Sequence, residues 1–469
     1  MEYTELSAYD VPAGVVTLWT PDADATAWAP DPRGISVGHE EHLEAGGSGS
    51  WIGSVLRIPR AFDAEALRLA LLAWSARHEV LRTTVLPSAG GWQRRTLPAD
   101  AVDIRGREVG WLSAPHAGRF ISDHFETLDP ATWPHCVFAT VVEPDAVPEA
   151  GFVLAFGADH AVMDAYSQLL WFEEIVSLYD RAMDGASLGD PAEVEVGSHV
   201  DFSEQDRGLA LALDAGSPPV TRWREFLTAG ASEDGELRFP RFPVPGIEAA
   251  ADLPQTSLSM WLADAEQASA LTRLCREVGT SAQSGVLAAL SVAMKGLHGT
   301  ERLRYILPMH TRYDAAHLAA VGWYVGICPV DVDISGVTGL PDLVGRVHRV
   351  VAEGKDLVRH PYARIGRLLG VEDGPRFAVS YVDCRYVPGA DRWEEWQARA
   401  LRSRAYSRDE VYLWFVRTAE GINVSARYPA TYAAERAVRA LAERIRYDLA
   451  RVTAGIDLLA EPALLETTA

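Results

Sequence analysis

One segment constrains this chain more than any other. Phe152-Val-Leu-Ala-Phe156 is an unbroken apolar run, followed by Gly157-Ala-Asp-His160-Ala-Val-Met-Asp164 and then by Leu169, Phe172, Val176 and Tyr179 at helical spacing. A run this short, bounded by a glycine, fits a strand buried on both faces. The stripe after it predicts an amphipathic helix from about Ala165 to Met183. A strand covered on both faces needs further strands beside it and helices above and below, so the segment demands a layered fold of mixed type. It also places His160 and Asp164 on the strand-to-helix turn, where side chains can face a cleft.

The rest of the chain supplies those layers twice over. Ser54 to Ile58 reads as a strand, Asp63 as the cap of a helix carrying Leu67, Leu71 and Trp74, and His78 to Val85 as a lead into another strand. After Pro254 the pattern restarts. Strands are expected at Thr256–Leu262, Arg304–Leu307, Val330–Ile334, Arg376–Val382, Glu410–Arg417 and Ile422–Arg427. Helices are expected from Asp264 to Gly279, from Ser281 to Leu297, along Leu343, Val347 and Val350, and from Tyr432 to Val452. Pro21 to Gly34 reads as irregular, and residues 185–254 are loose and rich in Gly, Pro, Glu and Asp. These signals predict an α/β (α+β) chain with an N-terminal lobe over residues 1–205, a connection over 206–254 and a C-terminal lobe over 255–469.

Composition narrows the function. The net charge of −22, from 43 basic and 65 acidic residues, opposes nucleic-acid binding, which rests on neutralising phosphates. No apolar run reaches the ~18 residues of a membrane span, and Met1 to Tyr9 lacks the basic-then-apolar pattern of a signal peptide, so a cytoplasmic location is expected. The four cysteines, Cys136, Cys275, Cys328 and Cys384, are far apart and form no CxxC pair; they read as small buried residues and point to no metal site. No nucleotide or flavin motif is present, so no bound cofactor is expected. Arg346 to His360 is the most basic stretch, either a solvated helix face or a docking patch for an acidic partner.

His160 is the residue with chemical potential. An imidazole on such a turn can take a proton from an amine or hydroxyl at neutral pH. Asp164, four residues on, can orient the loop or pair with a cation. Taken alone, His-x-x-x-Asp fits equally a histidine at a helix start and an aspartate in the first turn.

Asp159-His160-Ala-Val-Met-Asp164-Ala165 resembles the His-His-x-x-x-Asp-Gly signature of the condensation-domain superfamily, which joins nonribosomal peptide condensation domains to polyketide-associated acyltransferases. Asp159 replaces the first His and Ala165 the Gly. His78-Glu-Val-Leu-Arg82, Met309-His-Thr-Arg312, Val321-Gly-Trp-Tyr-Val-Gly-Ile-Cys-Pro-Val330, Phe377-Ala-Val-Ser-Tyr-Val-Asp383 and Arg427-Tyr-Pro429 are similar to further family segments, in the same order. Leu18-Trp19-Thr-Pro21 resembles the polyketide-associated branch.

The resemblance implies two chloramphenicol-acetyltransferase-like lobes forming a V around a central tunnel, with His160 projecting into it. It implies an acyltransferase that moves an acyl or aminoacyl group from a phosphopantetheine thioester to a small-molecule amine or alcohol. The donor would sit on an acyl or peptidyl carrier protein or on coenzyme A, and the enzyme would be a monomer. It implies Arg312 as the partner of Asp164. Trp323 and Tyr324 fall on a loop that crosses between lobes, where they line the tunnel or join the core. The oxyanion donor is open between an amide near Ala165 and the Ser380 hydroxyl. Asp159 either approaches His160 and raises its basicity or points to the core side of the turn. A silent module that recruits a carrier protein is the alternative function, and epimerisation, cyclisation or dehydration on the same fold is a third.

Overall fold

A computed structural model describes every residue except 1, 47–49, 145–150, 189–195, 230–234, 454 and 456–469. In the first half the strands are β1 (Tyr3–Thr4), β2 (Gly14–Ala23), β3 (Ala29–Pro30), β4 (Trp51–Ile58), β5 (Thr83–Ser88), β6 (Gly91–Thr96), β7 (Val102–Leu112), β8 (Cys136–Val142) and β9 (Phe152–Asp159). They alternate with helices α1 (Val37–Glu44), α2 (Ala64–Arg77), α3 (Ala114–Phe125), α4 (Ala165–Met183), α5 (His199–Leu211) and α6 (Pro218–Thr228). The second half has β10 (Leu253–Asp264), β11 (Arg302–His310), β12 (Val325–Asp333), β13 (Phe377–Asp383), β14 (Arg399–Arg402), β15 (Tyr406–Ser407), β16 (Val411–Arg417) and β17 (Gly421–Pro429). Its helices are α7 (Ala265–Glu277), α8 (Ala282–His298), α9 (Leu340–Val358), α10 (Tyr362–Leu369) and α11 (Tyr432–Thr453).

Two seven-stranded sheets organise the molecule. The first runs β1-β14-β4-β9-β8-β2-β7 and the second β12-β11-β13-β16-β17-β10-β15. A small sheet, β3-β6-β5, stands beside the first. In β9 the period of two decides which layer each residue fills. Phe152, Leu154, Phe156 and Ala158 join the core under α2 and α4 with Trp74 and Trp171. Val153 and Ala155 join the opposite core under α3 with Trp51 and Phe125. Gly157 fits because a Cβ there would come 2.6 Å from the Phe125 ring. The second sheet buries Leu303, Tyr305, Phe377, Val379, Leu413 and Phe415 against α7, α8, α9 and α11.

Helix starts follow the capping residues. Asp63 accepts the Ala66 N–H, Asp164 the Ser167 N–H, and Asp264 forms a capping box with Gln267. Gly299 closes α8 in the left-handed conformation that glycine adopts without strain.

Three sequence expectations change. Pro21 lies inside β2: beyond Trp19 that strand pairs only with β7, so a proline is tolerated where the β8 ladder has ended. The stretch 206–254 is no bare connection. It holds the end of α5 and all of α6, whose Val220, Trp223, Phe226 and Leu227 share a buried face behind Ser217 and the prolines at its first turn. Residues 189–195 and 230–234 of the looser region lie outside those described. Finally, β14, from the second half, sits in the first sheet, antiparallel to β4 and parallel to β1. The sheets therefore do not divide at residue 254.

Phe156 is fully buried and lies 4.6 Å from Trp171, centroid to centroid. Phe156→Ala is expected to cost about 3–5 kcal/mol by loss of transfer energy plus a cavity. Leu209→Ala, on an exposed position, stays within about 0.5 kcal/mol. Urea unfolding followed by tryptophan fluorescence checks both; equal midpoints for the two variants would refute the core assignment.

Candidate active site

The turn after β9 is built from side-chain acceptors. Asp159 ends the strand and accepts the Ala161 N–H at 2.8 Å, forming the short turn His160–Val162. Asp164 then caps α4 through Ser167 N–H and Oγ, both 2.7 Å from its Oδ1. Ala165 starts α4 with helical backbone; Gln397 is the non-glycine residue with positive φ among those described, so the methyl at Ala165 brings no strain.

Asp164 is closed from the other lobe. Arg312 reaches it with two nearly parallel bonds, Nη1 to Oδ2 at 2.7 Å and Nη2 to Oδ1 at 3.0 Å. Arg312 Nη2 also donates to Ser167 Oγ and to the Ala320 carbonyl. Its guanidinium lies over the Tyr324 ring at 4.3 Å and the Tyr166 ring at 5.1 Å. The Tyr324 N–H donates to Asp164 Oδ2 at 3.0 Å. Asp164 is fully buried and Arg312 is 3 % exposed. Burial works to raise the Asp164 carboxyl, but the Arg312 charge and its hydrogen bonds, joined by those from Ser167, hold it below its ordinary value.

The crossing loop is tied down by residues outside the motif. His78 contacts Glu174 at 3.0 Å and accepts the Val321 N–H. Gly322 exchanges bonds with Ser167 and leaves no room for a Cβ against the His199 ring. His199 Nε2 approaches the Trp323 carbonyl at 3.1 Å.

His160 packs against Trp323 with ring centroids 5.0 Å apart, and its Nδ1 is buried without a hydrogen-bond partner. Burial lowers its pKa below 6.5; its own carbonyl, Asp159 and Asp164 oppose the shift and His42 adds to it. The ring is therefore neutral at pH 7.

A cavity of about 690 Å³ opens between the lobes and reaches the turn at Asp164, Ala165 and Tyr166. The second lobe lines it with Ser380, Tyr381, His310, Arg276 and Lys355, among others. Ala165 and Ser380 thus face one space. His160 is not among the residues lining it, and neither is Tyr324, which is fully buried. Trp323 covers the imidazole and Tyr324 packs on Arg312, so the two neighbours do different work. Asp159 does not bond to His160; its carboxylate is buried and lies 2.9 Å from His42 Nε2.

Sequence reading missed His42, Ser167, His199 and the cavity cation Arg276, whereas Lys355 falls in the basic stretch Arg346 to His360. Ser167 was within reach, standing three residues after a capping aspartate. His42 gave no signal, since 117 residues separate it from Asp159.

Residues 40–377 match the family model described as the condensation domain. The chain belongs to the condensation-domain family. It is 26 % identical over 338 residues to the acyltransferase PapA3 of Mycobacterium tuberculosis, covering 70 % of this chain and 68 % of that protein. It is 25 % identical over 355 residues to the phosphinothricin tripeptide synthetase PhsC of Streptomyces viridochromogenes, over 73 % of this chain and 31 % of that protein. Among solved structures it overlays on the PapA2 acyl transferase with a TM-score of 0.83 at 20 % identity, over 97 % of this chain and all of that one. The first condensation domain of the calcium-dependent antibiotic synthetase gives 0.65 at 17 %, over 94 % of this chain and all of that one. The two-lobed chloramphenicol-acetyltransferase-like fold is thereby established, and the protein is an acyltransferase of this family. No helix among the described residues is long and apolar enough to cross a membrane.

Neutralising one partner of the Asp164–Arg312 pair leaves a buried, uncompensated charge. Asp164→Asn is expected to destabilise the fold by about 3–5 kcal/mol. Arg312→Lys keeps the charge but loses the paired geometry and should fall between that variant and wild type. Differential scanning calorimetry ranks the three; an unshifted Tm in Asp164→Asn would contradict the pairing.

Proposed function

We propose that the protein transfers an acyl or aminoacyl group from a phosphopantetheine thioester, on a carrier protein or coenzyme A, to a small-molecule amine or alcohol, with His160 as the base. The observation that carries this reading is the His160 imidazole on a turn locked by both lobes, beside an inter-lobe cavity. The name of a further relative, the Mycobacterium tuberculosis 2'-acyl-2-O-sulfo-trehalose (hydroxy)phthioceranyltransferase PapA1, supports including alcohols among the acceptors; the match is 26 % over 245 residues, 52 % of this chain and 45 % of that protein.

The reaction needs no resident cofactor, because the thioester is already activated. The acceptor nitrogen or oxygen attacks the thioester carbonyl while its proton passes to His160 Nε2. A tetrahedral oxyanion forms. The Ala165 N–H, at the positive end of α4, and the Ser380 hydroxyl are the donors this reading assigns to it. Collapse breaks the C–S bond, and the leaving thiolate takes the proton back from His160. Asp164 and Arg312 hold the turn and exchange no proton. Exposed Arg276 and Lys355 at the cavity suit the phosphate of the donor arm. Such donors place the enzyme in the cytoplasm.

Thiol release from acyl-coenzyme A and from acylated carrier protein, offered with a pool of amines and alcohols, tests the reading. His160→Ala should lower acceptor-dependent release ~10²–10⁴-fold. Because burial lowers the His160 pKa, wild-type kcat/KM should fall with acid at a midpoint below that of an ordinary histidine. Equal release by His160→Ala at every pH would refute the assignment.

A further inference from the structure

Where the family signature has its first histidine, this chain carries Asp159, a carboxylate 1 % exposed at the end of the central strand. A buried carboxylate needs a partner. Its partner comes from outside the motif: His42 on α1, with Nε2 2.9 Å from Asp159 Oδ1. The His42 ring also meets Trp323 edge-on, with centroids 5.8 Å apart. Trp323 is therefore touched by both imidazoles, His42 and His160. Asp159 in turn fixes the Ala161 N–H, so the turn that presents His160 hangs on the same carboxylate.

Helix α1 is held for this task by both lobes. Ser36 caps it, Arg207 bonds Glu40 at 2.6 Å, and Arg367 of α10 bonds Glu44 at 3.0 Å. A helix held from two sides delivers His42 to one place.

We propose that His42 is a positioning residue for His160: its ring bonds the Asp159 carboxylate, which fixes the turn, and with Trp323 it sets the orientation and polar surroundings of the imidazole. The inference rests on reading His160 as the base. The groups facing the two rings are few. His160 is faced by Asp159, Asp164 and His42, with Arg312 behind Asp164. His42 is faced by Asp159, His39 and His135, with His199 and Arg94 behind His39. Burial lowers His39, His135 and His199 below the ordinary histidine value. Loss of the His42 ring then leaves the Asp159 carboxylate without that side-chain partner beside His160, and a side chain that donates to it from the same place restores the contact.

The test needs no substrate. Full-length protein labelled with 13Cε1-histidine is titrated by NMR, with the His160 resonance assigned by its loss in His160→Gln. In His42→Ala, which leaves Asp159 without that side-chain partner, the His160 midpoint should rise by at least about 0.3 unit. In His42→Gln, whose amide N–H donates to Asp159 in its place, it should return toward wild type. A rise followed by that return supports the proposal. No movement in either variant, or the same shift in both, overturns it, because a purely structural contact would not show the sign reversal. Circular dichroism confirms that each variant is folded. A wild type silent toward every thioester would count against the acyl-transfer reading alone, since the titration stands without it.

Discussion

The buried pair of Asp164 and Arg312 is the interaction on which the rest of the site depends. It joins the first turn of α4 in one lobe to the end of β11 in the other. Burying two charges is costly, and they repay it only with good geometry and further hydrogen bonds. Here the two parallel N–H···O bonds, the Ser167 contacts, the Tyr324 amide and the Tyr324 ring supply both. Remove the pair, and among the described residues the His160 turn holds the crossing loop through the weaker Ser167–Gly322 bonds and the Trp323 contact.

Around that pair, the buried His135 and His199 and the half-buried His160 and His39 are held below the ordinary histidine pKa. Burial lowers His160, His39 and His135, and it pushes His199 down to about 3. In the unfolded chain each of these would take up a proton below about 6.5. The stability they contribute is therefore complete above that pH and is lost progressively as pH falls toward their depressed folded values. The same burial that makes His160 a free base at pH 7 makes the lobe junction acid-sensitive.

Much of this is legible in the amino-acid sequence. The apolar run at Phe152, the caps Asp63, Asp164 and Asp264, and the long apolar stripes are local signals, and the corresponding elements form with ends within a few residues of expectation. Arg312 opposite Asp164 comes from the resemblance and not from spacing, since 148 residues separate the two. What stays hidden is non-local. Strand β14 is too short to announce that it crosses into the first sheet. Helix α6 sits in a proline-rich stretch that reads as a connection, although its prolines occupy the first turn, where a helix tolerates them. The orientation of Asp159 depends on His42, a partner that no pattern around the motif could specify.

Acyl transfer beside His160, at the junction of the lobes, is the claim on which the function rests. A crystal structure with a non-hydrolysable thioester analogue and an acceptor tests it most directly. The expected complex has the acceptor heteroatom within about 3 Å of His160 Nε2 and the acyl carbonyl oxygen turned toward the Ala165 amide. An analogue bound with its carbonyl remote from both groups, or an imidazole still sealed beneath Trp323 with the acceptor in place, would contradict it.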